Sequence, residues 1–563
     1  MTKKELAEGI HQVEDKLVAE AGAVRQKEPG AYSQEEAGGR EPKEAGMAAR
    51  KSHRLKFFSR RGVAAAAIVL AAVLILCVWP GGLGTEEGGD RNGSSGNHRT
   101  EAGTEDGYPN DETGSSSTTS SLDDSNEGVW DSLFGKKKGY QKKAVVLAAT
   151  PKGYSVDSAK FQQVLEEHPV EPSFYEAMQD FAFRTASALA GEKEKKGKNL
   201  LYSPLSLYYA LAVTTEGAAG ETKEELRSLL AVSDTEDLTG QCANLYRRLY
   251  RDHQDGKLQI ANSLWMAEEC QGIPIHWQEE YLQTAAKDFY ASLFSADFKK
   301  DTTYRDMGEW VSDQTAGLLK PDFTPSEEER EKRQEDGSEQ ILGILNTVYV
   351  KDRWLDGFYE EYTREEEFYL ADGETVPASF MRKGDWGTFF EGEGFLRAEL
   401  ELEQVGSMVF VLPDEDISVE EFLASPERLA EAFLGGEEWE GERIWRVPKF
   451  VSSNKQDWKE LLEACGVKKA FQKEEADFSR MINQTDQRME VWISQIEQGT
   501  KLIVEEGGIE AAAYTYVAVS GDGGEPIIEK SAEMILNRPF LYGIVQEDVY
   551  LFIGVCQNPA VEE

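Results

Sequence analysis

The chain is 563 residues long and carries 103 acidic against 61 basic residues, so its formal net charge at pH 7 is -42. A protein this acidic repels phosphate backbones, which excludes nucleic acid as a partner, and the charge otherwise serves solubility. The length exceeds what one hydrophobic core usually holds, so we expect one domain with appended segments. The five cysteines are scattered without C-x-x-C or framework spacing, which predicts free thiols rather than a disulfide scaffold.

The first predicted element is an apolar run at residues 62–79 that contains no charged residue. As a helix its 18 residues would be about 27 Å long, enough to span the hydrocarbon core of a bilayer. Basic residues crowd 51–61 and acidic residues follow from Glu86. The positive-inside rule then predicts residues 1–61 as a cytoplasmic segment, the run as a single-pass transmembrane signal anchor, and the rest of the chain on the extracellular side of the cell membrane. A cleaved signal peptide, a lipidated Cys77 and a buried core helix are the alternatives.

Two segments of low apolar content follow the run. Residues 80–128 are rich in Gly, Ser, Thr, Asp and Glu, so they cannot offset the entropy of folding and predict a disordered tether. A flexible chain of that length has a root-mean-square span of about 40 Å. Residues 129–172 form a transition segment in which 145–149 are compatible with a short strand or a helix. The plain tether and the long segment before the run suggest a bacterial protein.

A globular domain is predicted over 173–563. A first helix is expected behind an S-x-x-E capping box at Ser173, and another behind a T-x-x-E box at Thr222. Between them a helix should begin at Pro204 and end near Gly217, because proline suits the first turn and glycine the end of a helix.

Strand-like alternation of apolar and polar residues appears only after these helices. The alternating segments are 258–266, 340–350, 406–412, 488–495 and 550–555. Helices first and strands later, without a regular βαβ alternation, predict an α+β fold. The charged run 325–336 predicts a surface insertion.

The stretch 505–515, E-E-G-G-I-E-A-A-A-Y-T, is the most informative for function. Its glycines permit a hinge, and its small residues and later Tyr, Thr and Val favour a strand. Read with a period of two, every second residue from Ile509 to Thr515 shares one face that is apolar or small, as a strand inserted over a core requires. These residues are Ile509, Ala511, Ala513 and Thr515. The end of an Ala-rich helix is the alternative.

Further motifs recur in a fixed order along the domain. They are N-L-L-Y-S-P-L-S at 199–206, G-A-A-G-E-T at 217–222, A-N-S-L-W at 261–265, W-V at 310–311, L-N-T-V-Y at 345–349, A-D-F-S at 476–479, N-R-P-F-L-Y at 537–542 and G-V at 554–555. Together with the stretch 505–515, which is similar to the hinge of inhibitory serpins, they resemble the serpin family over 173–559. The residues that match the hinge are Glu506, Gly508, Ile509, Glu510, Ala511, Ala512, Ala513 and Thr515.

The resemblance implies the serpin fold, with about eight or nine helices, three β-sheets and an exposed reactive-centre loop. It also implies a shutter and a breach that control the opening of the central sheet, formed by Asn199, Ser203, Pro204, Ser206, Asn346, Gln498 and Trp354. Gln498 stands where many serpins carry a histidine, and its amide can bridge Asn346 and Ser203 by hydrogen bonds. Ile509 stands where Thr or Ser is usual; it is bulkier but uncharged, so insertion is expected to be slowed at most.

The implied function is inhibition of a serine or cysteine endopeptidase, in which the protein acts as a suicide substrate. The protease cleaves the loop and is trapped as an acyl-enzyme when the loop inserts as a strand into the central sheet. Counting from Gly508 places the cleaved bond after Asp522, whereas counting back from Pro539 places it near Ile528. The candidates for the reactive bond are Val519, Ser520, Asp522, Gly523 and Ile528. A non-inhibitory serpin-fold module for surface binding or display is the alternative.

No pattern of catalytic or metal-binding residues stands out. The six histidines lack ligand spacing, and no G-x-S-x-G elbow, P-loop or dinucleotide-binding glycine pattern occurs. We therefore expect no enzyme activity, no metal and no cofactor. The protein should act as a monomer whose partners are the target protease and, through one helix, the membrane.

Overall fold

The computed structural model describes residues 139–192, 195–233, 236–254, 256–482, 489–509 and 530–561. The predicted cytoplasmic segment, apolar run and tether, which together end at residue 128, lie outside the described residues. So does the segment 510–529, which contains the second half of the predicted hinge and every candidate for the reactive bond.

The predicted location, a single pass through the cell membrane with the domain outside, is corrected. Among the described ranges, no helix is both long and apolar enough to cross a bilayer. The longest of them, Pro172–Ala190, has 19 residues, but it buries one apolar face, including Phe174 and Phe181, in the protein core. The single-pass prediction is therefore withdrawn; the apolar run 62–79 on which it rested lies outside the described residues.

Eight strands, numbered in chain order over the described residues, form the first sheet. They are β1 (Ala144–Val146), β3 (Arg251–Asp252), β4 (Gly256–Ala267), β7 (Ala291–Ala296), β8 (Leu342–Arg353), β14 (Phe450–Asp457), β15 (Glu497–Glu505) and β16 (Gly508–Ile509). Their order is β1-β7-β4-β8-β16-β15-β14, with β3 paired to β4. Strands β4 and β7 run parallel, and the other pairs are antiparallel.

Within the part of the chain that the structure describes, nine strands form the second sheet. They are β2 (Leu200–Tyr202), β9 (Arg364–Tyr369), β10 (Thr375–Gly392), β11 (Phe395–Glu401), β12 (Ser407–Pro413), β13 (Glu437–Pro448), β17 (Ser531–Ile535), β18 (Phe540–Gln546) and β19 (Val549–Cys556). Their order is β17-β13-β10-β11-β12-β18-β19-β2, with β9 paired to β10. A two-stranded sheet of β5 (Glu269–Cys270) and β6 (Ile273–Pro274) is the third.

The described residues also form eleven α-helices. They are α1 (Ala159–Glu167), α2 (Pro172–Ala190), α3 (Pro204–Gly217), α4 (Gly220–Leu229), α5 (Leu238–Leu249), α6 (Glu279–Lys287), α7 (Asp301–Gln314), α8 (Glu327–Glu335), α9 (Val419–Leu423), α10 (Pro426–Leu434) and α11 (Lys459–Ala464). The predicted α+β class with three sheets is confirmed. The helices exceed the expected eight or nine because short ones such as α9 and α11 are included.

Helix α3 links the two large sheets. Twelve of its fourteen residues are buried, so it packs on all sides, and its polar N-terminus is satisfied locally. The Ser203 hydroxyl accepts a hydrogen bond from the Ser206 backbone N–H (3.2 Å), and Pro204 occupies the first turn, where its missing N–H costs nothing. This fixes the shutter motif S-P-x-S at the start of a rigid helix.

One predicted strand, 488–495, does not form over its described residues, 489–495. Val491 is buried, and the Ile493 backbone N–H donates to the Ala470 carbonyl (2.8 Å) rather than to a strand. The alternation therefore reflects an extended segment packed on the core. The neighbouring strand is β15, which begins two residues later.

Candidate functional site

The first half of the predicted hinge lies between two strands of the eight-stranded sheet. Strand β16 pairs antiparallel with both neighbours: Ile509 lies opposite Asp352 of β8 and Val504 of β15. Ile509 is fully buried, at 0% exposure. We call this end of β8 and β15, where β16 lies between them, the breach.

Strands β8 and β15 do not pair with each other directly; each pairs with β16 at the breach. Farther along the two strands, a small cavity is lined by Thr347 of β8, Thr500 of β15 and the Ser203 end of α3. On β15 burial alternates, with the even-numbered Thr500 and Leu502 buried. On β8, Val348 and Val350 belong to the hydrophobic core, and the odd-numbered Thr347 and Tyr349 are buried as well. The sheet is thus divided between β8 and β15, next to the shutter.

Gly508 must be glycine for two reasons. Its φ is +143°, a conformation that L side chains rarely adopt, and an added Cβ would lie 2.2 Å from the Asp352 carbonyl oxygen. The hinge glycine therefore allows β16 to approach the β8 backbone closely.

Glu506 fixes the chain just before β16. Its carboxylate is bound by the Lys449 ammonium (2.6 Å) and accepts a hydrogen bond from the Thr363 hydroxyl (2.8 Å). The Phe358 backbone N–H donates to the Glu506 carbonyl (3.3 Å). Burial alone would raise the pKa of Glu506, but the bonds from Lys449 and Thr363 outweigh it, so the pKa lies below its ordinary value.

Trp354 lies at the breach on the other side of the same turn. It is buried, and its indole Nε1–H donates to the Glu505 carbonyl (2.9 Å). Its backbone N–H donates to the Gly507 carbonyl (3.3 Å), and its ring meets the Phe358 ring edge-on at 6.3 Å between centroids. Trp354 thus ties the end of β8 to the turn that leads into the hinge.

Gln498 of β15 is joined to the shutter helix. Its Oε1 accepts from the Ser203 backbone N–H (3.1 Å), and its Nε2–H donates to the Ser203 carbonyl (2.9 Å). The Ser203 hydroxyl donates to the Leu551 carbonyl (2.7 Å). Both ends of the amide are used on one residue, so within the described residues Gln498 makes no hydrogen bond to Asn346.

Asn346 of β8 is held by a different partner. Its Nδ2–H donates to Asn262 Oδ1 on β4 (2.5 Å), and Asn262 in turn donates to the Phe289 carbonyl (2.6 Å). Ser206 contacts the Asn346 carbonyl at 3.5 Å, whereas Asn346 Oδ1 is buried and has no partner among the described residues. A polar atom buried in this way is costly unless another group reaches it.

Asn199 lies apart from the sheet division. Its amide Nδ2–H donates to the Asn558 carbonyl (2.8 Å), and its Oδ1 accepts from the backbone N–H groups of Gln557 (2.8 Å) and Asn558 (2.9 Å). Its contacts fasten the C-terminal segment beside β2, which precedes the shutter helix.

Sequence reasoning did not find Asp352, Lys449 or Thr363. Lys449 and Thr363 contact the breach from segments distant in sequence, whereas Asp352 lies in β8, two residues before Trp354. No short pattern marks any of the three. The remaining hinge residues Glu510, Ala511, Ala512, Ala513 and Thr515 lie outside the described residues, as do Val519, Ser520, Asp522, Gly523 and Ile528. Among the described residues, no group of three or more His, Cys, Asp or Glu side chains could hold a metal ion.

Comparisons with known proteins agree on one family. The family profile described as "Serpin (serine protease inhibitor)" matches residues 176–559. Serpin-Z2B of Triticum aestivum is 28% identical over 396 residues, covering 67% of this chain and 94% of the relative. Antithrombin-III of Homo sapiens is 28% identical over 386 residues, covering 66% of this chain and 79% of the relative.

The native-state crystal structure of Tengpin, a thermophilic serpin, aligns with a TM-score of 0.59 and 25% identity, covering 73% of this chain and 100% of that chain. These matches do not support the expected bacterial origin.

Proposed function

We propose, because this chain belongs to the serpin family, that it inhibits a serine or cysteine endopeptidase as a suicide substrate. The observation that carries the proposal is the position of β16. Its two residues lie between β8 and β15, which have no direct pairing, with Ile509 on the buried face. If β16 continued along the chain, it would fill the rest of the gap between β8 and β15 in the eight-stranded sheet.

The register of β16 predicts which neighbours each inserted residue would meet. Extending the pairs of Ile509 with Asp352 and Val504 places Ala511 opposite Val350 and Leu502. In the same register Ala513 would lie opposite Val348 and Thr500, and Thr515 opposite Asn346 and Gln498. Their neighbours Val350, Leu502, Val348, Thr500 and Gln498 are buried. The inward face of the inserted strand therefore needs the small, uncharged residues that the sequence supplies.

The outward face fits the same register. Tyr514 would lie opposite Thr347 of β8 and Gly499 of β15, and Gly499 is exposed and has nothing within 4 Å of an added Cβ. A glycine neighbour leaves room for the tyrosine ring. The large residue in the alanine run is thus compatible with insertion.

The mechanism is a mechanical trap. The protease attacks the loop and forms an acyl-enzyme, and the cut frees the loop to insert with the protease still attached. An inserted strand of about fourteen residues gains ladder hydrogen bonds worth roughly 0.5–1.5 kcal/mol each, or roughly 10 kcal/mol in total. The protein performs no catalysis itself in this scheme, and we propose that it acts as a monomer.

The target protease depends on the cleaved bond. Cleavage after Asp522 would select an Asp-preferring protease, whereas cleavage after Val519 or Ser520 would suit an elastase- or subtilisin-like enzyme. Gly523 and Ile528 stay candidates because the loop is longer than is common in the family.

Incubation of the full-length protein with serine and cysteine proteases of differing specificity tests the proposal. We expect at least one protease to form a complex that survives SDS, with a mass equal to the protease plus the inhibitor minus its C-terminal fragment. Edman sequencing of the released fragment then identifies the reactive bond. Cleavage by every protease without any stable complex would replace the proposal with the non-inhibitory binding module.

A further inference from the structure

Asp352 is a buried carboxylate at the breach. It is the penultimate residue of β8 and is only 1% exposed. It pairs across the sheet with Ile509 of β16 on one side and with Gly256 of β4 on the other. A Cβ added at Gly256 would lie 2.7 Å from Asp352 Oδ1, so the carboxylate fits closely against the β4 backbone.

The carboxylate fastens the turn between β11 and β12 to the end of β8. Its Oδ2 accepts hydrogen bonds from the backbone N–H groups of Gln404 (2.7 Å) and Val405 (2.7 Å). Its Oδ1 accepts from the Arg353 backbone N–H (2.9 Å). The turn is also joined to β8 by the Glu403 backbone N–H, which donates to the Arg353 carbonyl (2.9 Å).

No cation neutralises this carboxylate among the described residues. The Arg353 guanidinium binds Glu403 (2.7 Å), and the Lys257 ammonium on β4 binds Asp252 (3.2 Å). The residues in line with Asp352 across the sheet, Gly256, Ile509 and Val504, carry no charge. From the segment that precedes α1, the Val156 backbone N–H donates a hydrogen bond to Gln404 Oε1 in the turn (3.1 Å). The negatively charged Glu403 carboxylate repels the Asp352 carboxylate and so raises the pKa of Asp352.

A buried charge without a cation is costly, and backbone N–H groups offset only part of that cost. Burial raises the pKa of Asp352 to about 6, although the three N–H groups act in the opposite direction. At neutral pH the breach therefore holds an ionised carboxylate that would be better solvated if the turn separated from β8.

We propose that Asp352 is a positioning residue that sets how readily the breach opens for loop insertion, by fastening the Gln404–Val405 turn while its buried charge favours release. This rests on the proposed function, since insertion is the step that it would control. The pH dependence has a definite sign. An open breach exposes the carboxylate to water and returns its pKa towards about 4. Protonation therefore stabilises the closed breach as the pH falls from about 6 to about 4, and ionisation promotes opening above pH 6.

Hydrogen exchange of the Gln404 and Val405 amides tests this without any protease. A change of about two pKa units corresponds to about 100-fold in the opening equilibrium. At pH 4.5 the carboxylate that an open breach exposes is still largely ionised, so only part of this factor is realised. After correction for intrinsic exchange rates, we expect these amides in the wild-type protein to be about 25-fold better protected at pH 4.5 than at pH 7.5. Asp352→Asn should abolish this pH dependence, and Asp416→Asn, at an exposed aspartate, should retain it. Equal protection at both pH values in the wild type would overturn the proposal, and so would a pH dependence that persists in Asp352→Asn.

The rate of stable complex formation provides a second measurement. The ratio of the wild-type rate to the Asp352→Asn rate cancels the pH dependence of the protease, and it should rise between pH 5 and pH 7.5. A constant ratio would show that Asp352 does not control insertion. If no protease forms a complex, the proposed function fails, but hydrogen exchange still decides the role of Asp352 at the breach.

Discussion

Two carboxylates at the breach show how burial and partners set opposite pKa shifts. Glu506 has a cation, Lys449, and a hydroxyl donor, and its pKa is lowered. Asp352 has three backbone N–H donors but no cation, and its pKa is raised. The hinge motif identifies Glu506 from sequence, yet neither shift follows from it, because the partners come from other segments.

The Glu506 contacts predict a pH-dependent contribution to stability. A lowered pKa means that the ionised carboxylate stabilises the fold above about pH 4 and that this contribution is lost as the pH falls through the lowered value. We expect Glu506→Gln to reduce stability at pH 7 by about 1 kcal/mol, since solvent screens part of the ion pair. Thermal unfolding should show the deficit at pH 7 and its disappearance in acid. Glu505→Gln is the matched control, and an equal deficit in both variants would contradict the role of the Lys449 and Thr363 contacts.

At the scale of elements, the two capping boxes predicted from sequence did not form. The S-x-x-E and T-x-x-E patterns at Ser173 and Thr222 predicted capping boxes, but neither forms. The N-cap positions of α2 and α4 are Glu171 and Ala219, and neither makes a side-chain cap hydrogen bond. The Ser173 hydroxyl donates to Glu236 (3.0 Å), and the Thr222 hydroxyl accepts from the Asp477 backbone N–H (3.0 Å). Both residues lie inside the first turn of their helices rather than at the N-cap, and their hydroxyls bond to residues distant in sequence.

A capping box does form at the start of α8. Ser326 and Glu329 form a true capping box at the start of α8, in the charged run predicted as a surface insertion, and α8 has no buried residue.

The register of β16 yields a matched pair of loop variants. Thr515 would face Asn346 and Gln498 on the buried side, whereas Tyr514 would face the exposed Gly499. We expect Thr515→Arg to abolish stable complex formation, because burying an unpaired charge costs several kcal/mol. Tyr514→Arg should retain most of it.

Cleavage of the loop must continue in both variants, since the fold outside the loop is unchanged. The ratio of SDS-stable complex to cleaved protein on gels distinguishes the two variants. Stable complexes at the wild-type ratio for Thr515→Arg would show that this face does not enter the sheet.

At the scale of the whole molecule, the described part of the transition segment, residues 139–172, packs against the domain. Strand β1 pairs with β7 at the edge of the first sheet, and Tyr140 is buried beside Phe294, with its hydroxyl donating to Asp313 (2.7 Å). The ring of Phe161 in α1 lies 3.9 Å from the guanidinium of the buried Arg251. These contacts join segments that are distant in sequence, so composition alone could not find them.

Division of the first sheet between β8 and β15 predicts a change in stability on cleavage. We expect cutting of the loop between residues 520 and 524 to raise the melting temperature markedly, because the inserted strand then pairs with both neighbours along their length. Differential scanning calorimetry of the intact and cleaved protein measures the change. An unchanged melting temperature would favour the non-inhibitory binding module.

The sequence by itself determined helices α2, α3 and α4, strands β4, β8, β12 and β19, and the stretch from which β16 forms. It did so because a side-chain period of two or 3.6 and the special conformations of glycine and proline are local properties. Only the tertiary structure decided that Gln498 binds Ser203 rather than Asn346, that Lys449 neutralises Glu506, and that Asp352 has no cation among the described residues. The free energy of a polar or charged group depends on which groups surround it after folding, and those neighbours come from distant parts of the chain.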